Sequence, residues 1–481
     1  MTAMVLSLIG ISVSAQTLFL VQEPANLAGS YTFTDSYSAD GWGADLDTTN
    51  VTAPGAWALD GSVADSICCE TVVNTGDVTG KIAFLYRGTC NFSLKAYHAQ
   101  EAGAVGCVIV NNIPGNLINM LGGDSASAVH IPVIFISDAD GATLRDSIVS
   151  GTTEFFIGNP NGVFANNVGA YNPHIGMASS QALPLQFADP AEFDVPIGSW
   201  IFNYGSADAV NALVTAVIDR DGTEVYNETS SGENILPGDS LFVSLPVYTE
   251  TTYEAGYYTI TYTLVSDATD ELPVDNVLTT SFWVNTEGKY AKSRVHPVDG
   301  PQGVNGLRPA NSTEFEWCIA MQSMNAEPLW ATGISFNTLT NDIDLTGQAV
   351  QLALYEWNDP IADLTFTDLN EATDNEFYDY ASDLQGEFVT HTFAEAVELV
   401  NEQKYLACAT IFIDDMFLGV DGDIDYNVTY DSYPDQVFFP LNDIDGGTWF
   451  AGGFGSDNTP ALVLNLAIGG GIGEDIQALD V

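Results

Sequence analysis

Several stretches between residues 175 and 287 alternate apolar and polar side chains one by one. A period of two is compatible with an extended strand that buries one face and leaves the other in water. In "GYYTITYTLVSD", Tyr258, Ile260, Tyr262 and Leu264 alternate with Thr259, Thr261 and Thr263. "AVIDRDGTEVY" sets Asp221-Gly222 between two such runs, the pair that a two-residue hairpin turn favours. Together with "DSLFVSLPVY" and "NVLTTSFWVN", these strands predict an immunoglobulin-like β-sandwich over 175–287. The stretch "NTEGKYAKSRVHPVDGPQG", with its Gly, Pro and charge, reads as a linker. Strands such as "EFEWCIAM", "QAVQLALYEW", "KYLACATIF" and "ALVLNLAIG" then predict a jelly-roll-like β-sandwich over 300–470, followed by a Gly-rich linker over 471–481.

The charge balance limits the partners. Lys and Arg number 10 against 64 Asp and Glu in 481 residues, a formal net charge of -54, so a polyanion is repelled and nucleic acid is excluded as a partner. A hydrophobic content of 46% is enough for packed cores, and the length suits about three domains. The N-terminus carries an apolar segment from Ala3 to Val13 and then Ser14 and Ala15, the pattern of a signal peptide over 1–15, although the usual basic start is missing. No other run reaches the ~18 apolar residues that a membrane-spanning helix needs, so the expected location is extracellular or the outer cell surface. An exported chain can keep disulfides. Cys90 is assigned to Cys69 or Cys68, with Cys69 preferred, and Cys107 in "VGCVIV" is expected as a buried free thiol. Cys318 and Cys408 lie in two predicted strands, where they either face each other or remain a pair of buried thiols.

Residues 80–112, "GKIAFLYRGTCNFSLKAYHAQEAGAVGCVIVNN", break the β pattern and hold three of the ten basic side chains, Lys81, Arg87 and Lys95. Ile82, Phe84 and Tyr86 alternate along a strand, Arg87-Gly88-Thr89-Cys90 turns the chain, and Phe92, Ala96, Ala99 and Gly103 mark one face of a short helix. "AVGCVIVNN" returns as an apolar strand, so strand, crossover helix and strand predict a parallel pair. Further on, "HIPVIFISDADGATLRDSI" reads as a buried strand and a helix begun by Ser137 or Asp138.

This region resembles the protease-associated (PA) domain. The shared elements are Gly-Lys-Ile before a strand, Arg87-Gly88-x-Cys90-x-Phe92, Lys95, Ala99-Gln100, Ala102-Gly103-Ala104, the strand end Asn111-Asn112, and Ile131-Pro132 before Asp140-Gly141. The resemblance implies an α/β domain over 16–168, without catalysis of its own, that binds protein or peptide or gates a neighbouring site. It singles out Arg87, Lys95, Asn111 and Asn112 as candidate binding residues. Two readings of the basic cluster stand side by side: Arg87 and Lys95 pin a turn and a helix, or they form an anion-binding spot for a peptide carboxylate or acidic segment.

Catalytic patterns are missing from the rest. His98, His130, His174, His296 and His391 show no zinc-peptidase spacing, and no G-x-S-x-G elbow occurs, so no enzyme activity is expected. Acidic turns recur as "NDIDLTG", "DGDIDYN" and "NDIDGG"; Asp421, Asp423 and Asp425 of the second make calcium the one cofactor candidate, against the plainer reading of an Asp-rich turn. The predicted whole is mostly β with an α/β N-terminal domain. It resembles secreted multidomain proteins of Bacteroidota exported by type IX secretion, whose usual sorting domain is not found up to Val481. The expected function is a non-catalytic surface protein that binds a protein or peptide partner and uses its sandwiches as spacer or adhesion modules. The alternatives are self-assembly into a filament or surface layer, or an accessory part of a secreted peptidase whose catalytic domain lies elsewhere. Trp330 and Trp449, expected in loops, keep a carbohydrate partner in view.

Overall fold

The computed structural model describes residues 17–113, 117–303, 305–309, 312–341, 343–433 and 436–469. The signal peptide and the final linker expected from the sequence lie outside them. The chain forms two compact units: one holds the residues up to Asn167 with Tyr204–Asp208 and Glu271–Asp275, the other holds the remainder.

The first unit is built on a five-stranded sheet in the order Thr34–Asp35, Val133–Ile136, Gly106–Val110, Ile82–Tyr86, Gly55–Trp57. The last four strands are parallel, and Thr34–Asp35 joins antiparallel. Helix Phe92–Glu101 makes the crossover between Ile82–Tyr86 and Gly106–Val110, burying Ala96 and Ala99 as the spacing predicts. Helix Asp138–Ser150 covers other sheet residues and starts at Ser137, whose hydroxyl accepts from the Asp140 amide at 3.0 Å. It lies so close to the sheet that a Cβ on Gly141 would come within 2.1 Å of Val110. An antiparallel sheet of Gly29–Ser30, Leu18–Glu23, Glu154–Gly158 and Val51–Ala53 completes the unit, and its Phe19 and Phe155 pack with Phe84 and Ile134 of the parallel sheet.

The second unit is antiparallel β almost throughout. The Asp221-Gly222 turn forms as expected, with both residues at positive φ (49° and 82°), as a type I′ hairpin requires. The two expected sandwiches, however, share one ten-stranded sheet. Its path runs Thr223–Thr229, Ala209–Arg220, Gly256–Val265, Val277–Asn285, Ala182–Pro184, Lys289–Ala291, Val463–Ile468, Leu329–Phe336, Val389–Glu398, with Glu233–Ile235 also pairing to Ala209–Arg220. The stretch read as a linker supplies the joint: Lys289–Ala291 pairs with Val463–Ile468 in the register Lys289↔Asn465 to Ala291↔Val463. Gly288 is there for close approach, since a Cβ would meet the Leu466 carbonyl at 1.9 Å. Two of the charges that suggested solvent are engaged by protein: Lys292 is 2% exposed, and the half-buried Arg294 is bound by Asp421.

A seven-stranded sheet of the same unit runs Leu369–Glu371, Ala349–Trp357, Lys404–Ile411, Phe315–Met321, Leu441–Asp443, Thr448–Phe450, with Glu376–Asp379 also pairing to Ala349–Trp357. Cys318 and Cys408 stand directly opposite on adjacent strands and form a disulfide, which settles the alternative left open by the sequence. One core cluster draws Tyr258, Tyr262 and Phe282 from the first expected sandwich and Trp317, Phe336 and Leu464 from the second, which is why the two do not separate.

Candidate functional site

The four parallel strands of the first unit end at one edge. In open α/β sheets, the carboxyl ends of the strands are where ligands bind, because the connecting loops diverge there and leave a crevice. Ile82–Tyr86 runs into Arg87-Gly88-Thr89-Cys90, Gly106–Val110 into Asn111-Asn112-Ile113, and Val133–Ile136 into Ser137. The turn after Tyr86 is tight, with Gly88 and Thr89 both at positive φ, and it is tied down by the Cys69–Cys90 disulfide. The Arg87 amide donates to the Val110 carbonyl at 2.8 Å, and its guanidinium donates to Asn111 Oδ1 at 3.2 Å. Asn111 is buried, and its Oδ1 also accepts from the Asn112 amide at 3.0 Å, so it positions Arg87 and the following loop. Asn112 and Ile113 are exposed.

At the same edge Trp57 and Tyr86, the last residues of their strands, stack with ring centres 4.9 Å apart. The exposed Arg145 lays its guanidinium 4.6 Å from the Trp57 ring centre and donates to the Tyr86 hydroxyl at 2.9 Å. Among the described residues neither Arg87 nor Arg145 makes an ion pair. In a chain with 64 carboxylate side chains, two arginines without a protein carboxylate at one sheet edge form a local positive spot. The candidates Arg87, Asn111 and Asn112 lie together at this edge, and Trp57, Tyr86 and Arg145, which the sequence did not single out, lie there too. Arg145 and Tyr86 are 59 residues apart, and only the topology brings them together.

Lys95, expected in the same binding cluster, is not on offer to a ligand. Its side chain is fully buried, its ammonium donates to the Ile67 carbonyl, and it lies 3.6 Å from the Cys69 sulfur. Burial pulls its pKa down to about 8, while burial pushes the neighbouring Cys68 thiol up to about 12. Cys107 is the expected buried free thiol, with its pKa raised by the same desolvation, and Cys68 is a second one. Lys95 therefore fits the pinning reading: the helix had to bury this position, and the carbonyl of Ile67 compensates the charge.

In the second unit the acidic turn assigned to calcium is engaged by protein. Arg294 donates to Asp421 through Nε at 2.9 Å and Nη2 at 2.8 Å, and to Asp423 through Nη2 at 2.6 Å. Asp425 Oδ1 accepts from the Asn427 amide at 2.8 Å, at the start of helix Asn427–Ser432. The guanidinium thus supplies the positive charge at Asp421 and Asp423 that the calcium reading gave to an ion. The two tryptophans expected in loops lie in strands instead: Trp330 in Leu329–Phe336, packed over Gly469, and Trp449 in Thr448–Phe450, stacked on Phe366 at 4.6 Å. Among the described residues, the one grouping with metal-like spacing is Glu316, Cys318 and Cys408, and its two sulfurs are joined to each other. Of the histidines, His174 is kept neutral by burial, with its pKa lowered to about 4, and His391 pairs with Glu376 at 2.8 Å.

The first unit has the architecture that its motifs imply, and residues 20–144 match the sequence model of the PA domain. The chain thus carries a PA domain at its N-terminal end. A probable leucine aminopeptidase 2 of Aspergillus fumigatus is 36% identical over 106 residues, which make up 22% of this chain and 20% of that protein. ER degradation-enhancing alpha-mannosidase-like protein 3 of Xenopus laevis is 34% identical over 87 residues, 17% of this chain and 10% of that one. Among solved structures, an aminopeptidase from Aneurinibacillus sp. strain AM-1 aligns over 30% of each chain at 20% identity, with a TM-score of 0.22. The chain spans about a fifth or less of the length of these curated relatives.

Proposed function

We propose that this is an exported, non-catalytic protein whose PA domain holds a protein or peptide segment at the carboxyl edge of its parallel sheet. The observation that supports this most is the pair of arginines at that edge, Arg87 fixed by Asn111 and Arg145 stacked on Trp57, neither with a protein carboxylate. An acidic segment or a peptide's terminal carboxylate would supply the missing partner, with the Trp57–Tyr86 pair and Ile113 as its apolar neighbours. The two disulfides are consistent with an extracellular location, and no helix among the described residues is long and apolar enough to cross a membrane. A second reading is favoured by the aminopeptidase relatives: the segment held at this edge belongs to a peptidase whose catalytic residues are on another chain.

The test is fluorescence anisotropy with the full chain and two sets of extended peptides, acidic and lysine-containing, with a peptidase substrate panel run in parallel. Acidic peptides should bind in preference, and Arg87→Ala and Arg145→Ala should each weaken them by about 1.5 to 3 kcal/mol, the worth of a charge-assisted contact. Binding that ignores both substitutions would remove the assigned edge. Turnover that follows the chain through purification would remove the non-catalytic reading.

A further inference from the structure

The second unit encloses a cleft of about 450 Å³, within the size range of small-molecule sites. Its lining includes two of the chain's ten cationic side chains, Lys292 and Lys404. Lys292 is 2% exposed, and its ammonium donates to the Ser179 carbonyl at 2.7 Å and to Ser180 Oγ at 3.1 Å. An ammonium has three donors, so one remains. Its other neighbours are aromatic faces, Phe438 with its ring centre at 4.6 Å and Tyr290 at 5.5 Å. Lys404 donates to the Asp359 carbonyl and sits 4.4 Å from the ring centre of Trp357, which also lines the cleft. Neither lysine makes an ion pair among the described residues.

Carboxylates are plentiful in this chain, and two line the cleft, but neither pairs with a lysine there. Glu192 accepts from the Ser323 hydroxyl at 2.7 Å, the Met324 amide at 2.6 Å and Asn325 Nδ2 at 3.0 Å. Glu402, also in the lining, is exposed to solvent. Lys292 is thus the enclosed cation with an open donor and no counter-ion, and a single carboxylate would satisfy both. The apolar lining, Phe187, Met321 and Trp357 among it, suits a ligand with a hydrophobic body.

We propose that this cleft binds a small amphipathic carboxylate, its anionic end on the Lys292 ammonium and its apolar body against Trp357. Burial without a counter-ion lowers the Lys292 pKa to about 7, a cost that a bound carboxylate would offset.

The experiment is isothermal titration calorimetry of the full chain with 3-phenylpropionate and with its uncharged counterpart, 3-phenylpropan-1-ol. Near pH ~6, where Lys292 is protonated, the carboxylate should bind at least about tenfold more tightly. Lys292→Met should bring the two probes within about twofold, and Lys404→Met should narrow the gap less. Equal affinity for the two probes, no saturable heat with either, or a preference that survives in a Lys292→Met protein with native near-ultraviolet circular dichroism would overturn the proposal. Should Lys292→Met not fold, the wild type decides through pH. Burial lowers the Lys292 pKa to about 7 and raises that of Tyr290, so between about pH 6 and 9 the Lys292 ammonium loses its charge while Tyr290 stays neutral. The carboxylate preference should fall at least about fivefold across that range, and a constant preference would overturn the proposal.

Discussion

Lys95 of the first unit and Lys292 of the second are both buried lysines without a carboxylate partner, and burial depresses the pKa of each. Their surroundings differ. The Lys95 ammonium is closed in by the Ile67 carbonyl, the Cys69 sulfur and the nearby Cys68 and Cys107 thiols, whereas Lys292 faces a cleft with a donor to spare. The same desolvation problem is thus solved once by filling the space around the charge and once by leaving space beside it. Burial and a shifted pKa do not tell a structural lysine from a binding one; the empty volume next to the ammonium does.

The largest expected effect comes from extending the comparison to Arg294, a partly buried cation that does have its carboxylate. Asp421→Asn removes the buried carboxylate and leaves the guanidinium only the exposed Asp423, and should lower the unfolding free energy by about 3 kcal/mol in urea denaturation, while Asp423→Asn should cost under ~1 kcal/mol. If Asp421→Asn proves as mild as Asp423→Asn, a counter-ion makes no difference to a cation in this unit.

Next comes truncation of the two lysines themselves. Lys95→Ala opens a void in a filled core and orphans the Ile67 carbonyl, a loss of about 3 kcal/mol. Lys292→Ala only enlarges an existing cleft and should cost about half as much. Equal losses would break the contrast between the two sites.

An effect of comparable size, about 3 kcal/mol for Lys292 and about 2 kcal/mol for Lys95 by pH ~9.5, should appear in the pH dependence of stability. Each folded pKa is depressed below the unfolded value of 10.5, to about 7 for Lys292 and about 8 for Lys95. The folded state therefore gives up its proton first. Stability contributed by the neutral amine is absent below the folded pKa, grows as pH rises through it, and is complete above 10.5. Lys→Met at either site should remove its share of the rise, and the Lys292 share should begin about one pH unit below the Lys95 share. Unfolding curves at a series of pH values for wild type and both variants measure it, and a fall in stability attributable to either lysine over this window would contradict the argument. Smallest of all, Arg87→Ala and Arg145→Ala should change stability by under ~1 kcal/mol, since neither arginine is buried, and this leaves peptide binding as the property that separates them from wild type.

The parts of the fold that could be read in the sequence are those written in local signals. The strand, turn and helix of residues 80–112, the Ser137 start of the second helix and the Asp221-Gly222 hairpin each follow from a pattern within about a dozen residues. Arg87 and Asn111 were legible because the strand ends on which they sit were. Arg145 was not, because its partners Trp57 and Tyr86 lie on other strands. Residues 289–294 misled for the same reason: Lys289, Lys292 and Arg294 look solvated until their neighbours are known, and Asp421 is 127 residues away from Arg294. Cys318 and Cys408 could be placed in strands, but their register, which sets them opposite each other, depends on pairing over a separation of 90 residues.

The shared ten-stranded sheet also bears on how such a chain can be inherited in pieces. Recombination tends to preserve folding when the crossover falls between bodies that close their own cores. Here the Gly- and Pro-rich stretch that invites a crossover contains Lys289–Ala291, the strand that pairs with Ala182–Pro184 on one side and Val463–Ile468 on the other. A chimaera joined inside it would expose unpaired edges on both halves, a state open to aggregation. A breakpoint after Asn167 would also part the first unit from its own Tyr204–Asp208 and Glu271–Asp275, so the two units are expected to pass between proteins together.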